Sequence, residues 1–121
     1  MKGSIKGIVI RGKGRGVGLG FPTANLKLTN GVLPEYGIYA AWVYLNGQKM
    51  KGAVSCGPAY TFNDEEAAFE VYILNFKEDL YGKEIEVELV RKIRDMEKFV
   101  NQEALGDQIK KDVKRVDEIL K

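Results

Sequence analysis

The chain has 121 residues, is 45% hydrophobic and carries a formal net charge of +2, which fits one domain spanning residues 1–121. It has no histidine and a single cysteine, Cys56. This composition excludes Ser-His-Asp and Cys-His catalysis, the usual zinc sites and an internal disulfide. The longest early apolar run, residues 8–10, is far too short for a signal peptide or a membrane span, so we expect a soluble, cytoplasmic protein without a membrane partner.

The first half of the chain predicts a strand, a glycine-rich loop and a hairpin. Residues 5–11 form the first predicted strand, and strictly alternating glycines follow it between residues 12 and 20. Residues 38–45 and 49–56 are predicted to pair through Asn46-Gly47, which is the strongest two-residue hairpin signal.

Two further strands are predicted in the second half. Residues 69–76 are apolar on both faces, as in a strand covered on both sides. After a turn at Tyr81-Gly82, residues 84–90 alternate cleanly between glutamates and apolar residues. Glu70 is expected to share a face with Tyr72, Leu74 and Phe76 in a regular strand.

The C-terminal segment changes to helical periodicity. Asn101 is the predicted N-cap, and one apolar stripe follows, formed by Leu105, Ile109, Val113, Val116 and Leu120. The polar residues of this segment, Asp112 and Asp117 included, are assigned to the outer face. Several short strands followed by one amphipathic helix predict a mainly β protein, an antiparallel barrel closed by a C-terminal helix.

The glycine-rich loop is basic, with Lys13 and Arg15 between Gly12, Gly14 and Gly16. Exposed backbone N–H groups together with two cations can bind phosphate, although no Walker A ending is present. Residues 1–30 hold six basic residues and no acid, which also favours an anionic ligand. The alternative interpretation is a flexible surface loop with scattered charge.

Thr23 and Asn25 stand two apart after Pro22, so an extended segment would project both from one face. Their oxygen atoms suit a hard cation such as Mg²⁺, with the balancing charge coming from nucleotide phosphates. Alternatively, both side chains only satisfy backbone groups in the turn.

These segments together resemble the riboflavin kinase family from end to end. The matching motifs are Gly12-x-Gly14-Arg15-Gly16, Gly20-Phe21-Pro22-Thr23-Ala24-Asn25, Gly37-Ile38-Tyr39, Glu70-Val71, Asp79-Leu80-Tyr81-Gly82, Ile93-Arg94-x-x-x-Lys98-Phe99 and Gln108-Ile109-x-x-Asp112. The resemblance implies a six-stranded Greek-key barrel that transfers phosphate from ATP to riboflavin to give FMN.

The resemblance also implies roles for individual residues. Thr23 and Asn25 would hold Mg²⁺ and the nucleotide phosphates, and Glu70 would act as base on the ribityl 5′-hydroxyl. Arg94 would close on the flavin with Phe99 buried beneath it. The loop of Gly12, Lys13, Gly14, Arg15 and Gly16 would cover ATP.

The chain departs from many family members at Ser55, where they carry Asn, at Tyr60, where a Pro-Thr pair is common, and at Tyr72, where a His is common. It also lacks the histidine-containing nucleotidyl-transfer motif, so by itself it is not expected to make FAD. No nucleic-acid partner is expected, because residues 1–30 contain one aromatic side chain, Phe21, and thus no stacking platform. The protein is expected to be a monomer. The competing hypothesis is a non-catalytic flavin- or nucleotide-binding module derived from the kinase.

Overall fold

The computed structural model describes residues 4–11, 20–63 and 65–121. In chain order the strands are β1 Ile5–Ile10, β2 Ala24–Asn30, β3 Gly37–Leu45, β4 Gln48–Gly57, β5 Ala68–Ile73 and β6 Glu84–Arg94, followed by helix α1, Gln102–Ile119. A 3₁₀ turn, Tyr60–Phe62, lies between β4 and β5.

The six strands close into an antiparallel barrel in the order β1-β2-β5-β4-β3-β6. Strands β3, β4 and β5 follow one another as neighbours, and β6 returns beside β3, which is the Greek-key arrangement. A second crossover places β2 beside β5. The predicted mainly β barrel with a C-terminal helix is confirmed.

The β3–β4 hairpin follows directly from its turn residues. Asn46 and Gly47 both have positive φ, 50° and 79°, as a two-residue primed turn requires. The opposed strands then pair from Gly37–Cys56 to Leu45–Gln48. Gly52 lies within this ladder, where a Cβ atom would stand 2.6 Å from the Cγ2 atom of Val43.

The barrel interior is filled by the inward-facing residues of all six strands. On β6 they are Ile85, Val87 and Leu89, each at most 4% exposed, as the alternation predicts. On β5 they are Phe69, Val71 and Ile73, so Glu70 and Tyr72 face outward.

The predicted regular strand over residues 69–76 is wrong in its last part. β5 ends at Ile73, and Asn75 adopts a left-handed conformation with φ 58°. This turn breaks the alternation, so Phe76 packs against the barrel interior instead of sharing a face with Glu70. Leu74 packs beneath α1.

Helix α1 covers the outer face of β3 and β4. Val116 and Leu120 pack on Ala40, with Trp42 and Ile93 beside them. Burial of each of these two helix side chains stabilises the docked helix by roughly 1.5–3 kcal/mol. The Asn101 side chain accepts a hydrogen bond from the Ala104 backbone N–H at 2.8 Å, which confirms the predicted N-cap.

Asp112 is not on the outer face of the helix, contrary to the prediction, and is only 6% exposed. At about 100° of rotation per residue, Asp112 lies roughly 20° from Leu105 around the helix axis, at the margin of the apolar stripe.

Over the described ranges, we find no helix that joins the length and the apolar character needed to cross a membrane.

Candidate active site

One row of cross-strand neighbours forms the floor of the candidate site. Asn25 of β2 pairs with Glu70 of β5, and Glu70 pairs with Ser55 of β4. Ser55 in turn pairs with Ile38 of β3, and Ile38 pairs with Arg94 of β6. Directly opposed residues in a sheet project from the same face. The barrel therefore aligns residues from five strands across its outer surface.

Glu70 is half-buried and accepts a hydrogen bond at Oε1 from the Thr23 hydroxyl, at 2.9 Å. Its two cross-strand neighbours, Asn25 and Ser55, are uncharged. Within the part of the chain that the structure describes, Glu70 forms no salt bridge with a lysine. The carboxylate is therefore held by a hydroxyl group, and Oε2 has no described hydrogen-bond partner.

A cavity of about 660 Å³ lies over this row. Its floor includes Thr23, Asn25, Glu70 and Ser55, and the first two thirds of α1 supply an apolar wall. The wall is formed by Leu105, Ile109 and Val113, three members of the predicted helical stripe. This explains why these residues are only half-buried while Val116 and Leu120 are buried against the barrel.

The far end of the cavity contains Arg94 and Phe99. The Arg94 guanidinium carbon lies 5.6 Å from the centre of the Phe99 ring. The ring lies beside Arg94 but is only half-buried, whereas the resemblance implied a buried ring. Arg94 also forms a two-pronged ion pair with Asp112, whose closest contact is 2.8 Å between Nη2 and Oδ2.

Two hydrogen bonds tie the segment after β6 to the 3₁₀ turn. The Phe99 backbone N–H donates to the Thr61 hydroxyl at 3.0 Å, and the Lys98 ammonium donates to Asn63 Oδ1 at 2.8 Å. Thr61, Asn63 and Phe99 all line the cavity. These bonds fix the position of Phe99 at the cavity rim.

The three positions that depart from the family pattern all line the cavity. Tyr72 makes an edge-to-face contact with Phe21, with 5.4 Å between ring centres. Ser55 contacts the Met96 sulfur at 3.8 Å, and Tyr60 begins the 3₁₀ turn. None of these three side chains belongs to the barrel interior, so the three departures alter the cavity lining.

Five predicted nucleotide-binding residues, Gly12, Lys13, Gly14, Arg15 and Gly16, lie outside the described residues. Arg11, just before them, lines the cavity and stacks over Tyr81 at 4.2 Å. Sequence reasoning did not select Arg11, although its position at the end of β1 beside the basic loop was a usable signal. Asp112 was predicted on the outer face of the helix and as part of a family motif, and its burial was not predicted.

Cys56 is fully buried within the barrel, and burial raises the pKa of its thiol. Burial and a raised pKa both disfavour the thiolate, so Cys56 serves as a residue of the barrel core. No group of three or more Cys, Asp or Glu side chains within the described ranges could hold a metal ion. The uncharged side-chain oxygen atoms at the cavity floor are those of Thr23, Asn25 and Ser55, beside the Glu70 carboxylate.

Comparison with known proteins agrees with this geometry. The family model for flavokinase, riboflavin kinase, matches residues 2–120. Relatives include the bifunctional riboflavin kinase/FMN adenylyltransferase of Bacillus subtilis, 39% identical over 89% of this chain and 35% of that protein. The RNA-binding riboflavin kinase RibR of Bacillus subtilis is 38% identical over 90% of this chain and 47% of that protein. The chain thus spans about one third of the length of the bifunctional relatives.

Two solved structures are also similar. A protein from Streptococcus pneumoniae described as a macrolide-efflux protein has a TM-score of 0.82 and 40% identity, over 92% of this chain and 37% of that one. Riboflavin kinase from Trypanosoma brucei has a TM-score of 0.68 and 26% identity, over 97% and 78% of the two chains. Since the family match runs through the strands, the cavity floor and the helix alike, the chain belongs to the riboflavin kinase family.

Proposed function

We propose that this chain transfers the γ-phosphate of Mg-ATP to the ribityl 5′-hydroxyl of riboflavin, giving FMN and ADP. The new bond joins the ribityl oxygen to the γ-phosphorus, and the bond between that phosphorus and the β–γ bridging oxygen breaks. Such a transfer depends on positioning and charge neutralisation more than on a reactive nucleophile, which suits a chain without histidine.

Glu70 is proposed as the base that takes the proton of the attacking hydroxyl. The Thr23 hydrogen bond holds Oε1, so Oε2 is the oxygen left to receive a proton from a ligand in the cavity. A carboxylate can accept this proton late in the transfer, when the ribityl oxygen is already bonding to phosphorus.

Thr23 and Asn25 are proposed to bind the magnesium ion and phosphates of the nucleotide. The Thr23 hydroxyl donates its proton to Glu70, which leaves its oxygen lone pairs for a cation. Both ligands are uncharged, so phosphate oxygens would provide the negative charge around Mg²⁺. Gly12 to Gly16, with Lys13 and Arg15, stay predictions for the cover of the nucleotide.

The Arg94 end of the cavity is proposed to hold the flavin ring. Phe99 offers an aromatic edge or face there, and Leu105, Ile109 and Val113 offer an apolar wall. A flavin is flat, largely apolar and bordered by polar atoms, and a cavity of about 660 Å³ is within the range typical for ligands of this size.

The observation that carries the proposal is the shared cavity: Glu70, Thr23 and Asn25 meet on its floor, and Arg94 with Phe99 stands at its far end. The test is incubation with riboflavin and Mg-ATP, followed by chromatography for FMN. Flavin binding without FMN, across several phosphate donors and divalent metals, would favour the non-catalytic binding module. The expected monomeric state, cytoplasmic location and lack of a nucleic-acid partner stay predictions.

A further inference from the structure

The ion pair between Arg94 and Asp112 is the most enclosed charge pair among the described residues. The exposed fractions of the two side chains are 19% and 8%. Arg94 Nε lies 3.0 Å from both carboxylate oxygens of Asp112, and Nη2 lies 2.8 Å from Oδ2. Two-pronged guanidinium–carboxylate contacts of this kind fix orientation as well as charge.

Arg94 has N–H groups that are not used in its contacts with the described residues. A guanidinium has five N–H groups. The Nε–H and one Nη2–H point to Asp112, and one Nη1–H donates to the Asp95 carbonyl oxygen at 3.0 Å. One N–H on each terminal nitrogen therefore has no partner in the described part of the chain, and Arg94 lines the cavity.

Asp112, in contrast, has no carboxylate oxygen without a hydrogen-bond partner. Its Oδ1 also accepts a hydrogen bond from the Gln108 amide at 3.1 Å, one helical turn earlier. Both carboxylate oxygens are therefore occupied by groups of the protein itself. Arg94 and Asp112 together present hydrogen-bond donors to the cavity without a net charge.

Apart from Arg94, the described residues that line this end of the cavity are apolar, uncharged polar or acidic, and the adjacent Lys98 ammonium is bound to Asn63. Three other charged residues that line the cavity are acids, Glu65, Glu66 and Glu97. The cation Arg11 also lines it, but follows Ile10, which pairs with Asn25 at the opposite end of the row. A ligand with anionic groups here would face a compensated arginine and an acidic rim. An uncharged ring with carbonyl oxygens would meet free donors and an aromatic neighbour.

We propose that Asp112 is a positioning residue that compensates the charge of Arg94, and thereby makes this end of the cavity selective for an uncharged, hydrogen-bond-accepting ring over an anion. Naming riboflavin as the owner of that ring rests on the proposed function. The exclusion of anions does not rest on the proposed function, so anion binding and riboflavin binding are tested separately.

The test uses Asp112→Asn, which keeps the size of the side chain and one acceptor oxygen but removes the compensating charge. The matched control is Asp117→Asn, on the same helix and outside the cavity, which removes a carboxylate paired with Lys51 at 2.8 Å. The double variant Arg94→Gln/Asp112→Asn removes both charges. Thermal melting with sulfate against chloride, at constant ionic strength, reports anion binding without any flavin.

We expect sulfate to raise the Tm of Asp112→Asn above its effect on the parent, and to have no such extra effect on the control or the double variant. In Asp112→Asn the riboflavin Kd, measured by flavin fluorescence, should rise about 10- to 100-fold, the range of one charge-assisted hydrogen bond. Sulfate should compete with riboflavin in this variant alone. Equal sulfate responses in parent, Asp112→Asn and control would overturn the proposal.

Arg94→Lys keeps the proposal testable if Asp112→Asn does not fold. Lysine preserves the ion pair but lacks the planar fork, so we expect no extra sulfate response and a riboflavin Kd raised by about tenfold or more. A riboflavin Kd equal to that of the parent would overturn the positioning role. A parent that binds no riboflavin would refute the proposed function, while the sulfate responses would still decide whether Asp112 excludes anions.

Discussion

Replacing Glu70 with glutamine separates its proposed chemical role from a structural one. Glutamine keeps the size of the side chain, and its carbonyl oxygen can still accept the Thr23 hydrogen bond that Oε1 accepts at 2.9 Å. It cannot take a proton from the ribityl hydroxyl. The substitution therefore removes the base while leaving the contacts on the cavity floor in place.

The two expected effects differ greatly in size. General-base catalysis contributes typically about 10²–10⁴-fold, so the single-turnover rate of phosphate transfer should fall by that factor. A hydrogen bond to a neutral acceptor is about half as strong as one to a carboxylate, so unfolding free energy should change by about 1 kcal/mol or less. Riboflavin and nucleotide affinities should change far less than the rate.

Glu88→Gln is the matched control. Glu88 is also half-buried on the outer face of a strand, and it accepts a hydrogen bond from the Tyr44 hydroxyl at the same 2.9 Å. It lies outside the cavity that contains Glu70. Single-turnover rates and melting curves for both variants make the comparison. A Glu70→Gln protein that melts lower yet phosphorylates riboflavin at the parent rate would refute the assignment of Glu70 as base.

Three other predictions follow from particular contacts. Thr23→Ala and Asn25→Ala should each weaken Mg-ATP binding by about 10- to 100-fold in a folded barrel; calorimetric titration checks this, and unchanged affinity in both would contradict the site. Lys51 lowers the pKa of Asp117, so their ion pair stabilises the fold above the unfolded-state pKa and is lost as pH falls through the folded-state pKa. The Tm advantage of the parent over Asp117→Asn should therefore shrink on acidification. Gly52→Ala should cost about 1–3 kcal/mol of unfolding free energy by denaturant titration, since its Cβ would enter the packed barrel interior.

Strands, turns and the helix were predicted correctly where residues close together in the sequence determine them. The alternation over residues 84–90, the Asn46-Gly47 turn and the helical stripe all produced the elements expected from them. Strand ends were harder to place. β6 extends to Arg94, beyond the predicted end at residue 90, because it stays paired with β3 as far as Ile38. This pairing cannot be predicted from the residues next to Arg94 in the sequence.

The early end of β5 shows a second limit. Asn75 adopts positive φ, which asparagine tolerates better than most residues, but it also occurs in ordinary loops. Without a glycine or proline there, the apolar pattern alone favoured a longer strand. The error placed Phe76 on the wrong face.

The resemblance selected most of the candidate site, and physical patterns alone did not. Thr23 and Glu70 are 47 residues apart, and only the crossover that pairs β2 with β5 brings them within hydrogen-bond distance. The burial of Asp112 could have been predicted from helical geometry, because its position borders the apolar stripe. It was missed because a charged residue was assumed to face solvent.

The barrel separates the residues that stabilise it from those proposed to do chemistry. Along β5, Phe69, Val71 and Ile73 face the interior, whereas Glu70 and Tyr72 face the cavity. Because the two sets alternate on one strand, substitutions in the cavity row leave the interior packing intact and should affect activity more than stability. Asp112 is the exception: it is buried and paired with Arg94, so changing it alters the helix contact and the cavity together.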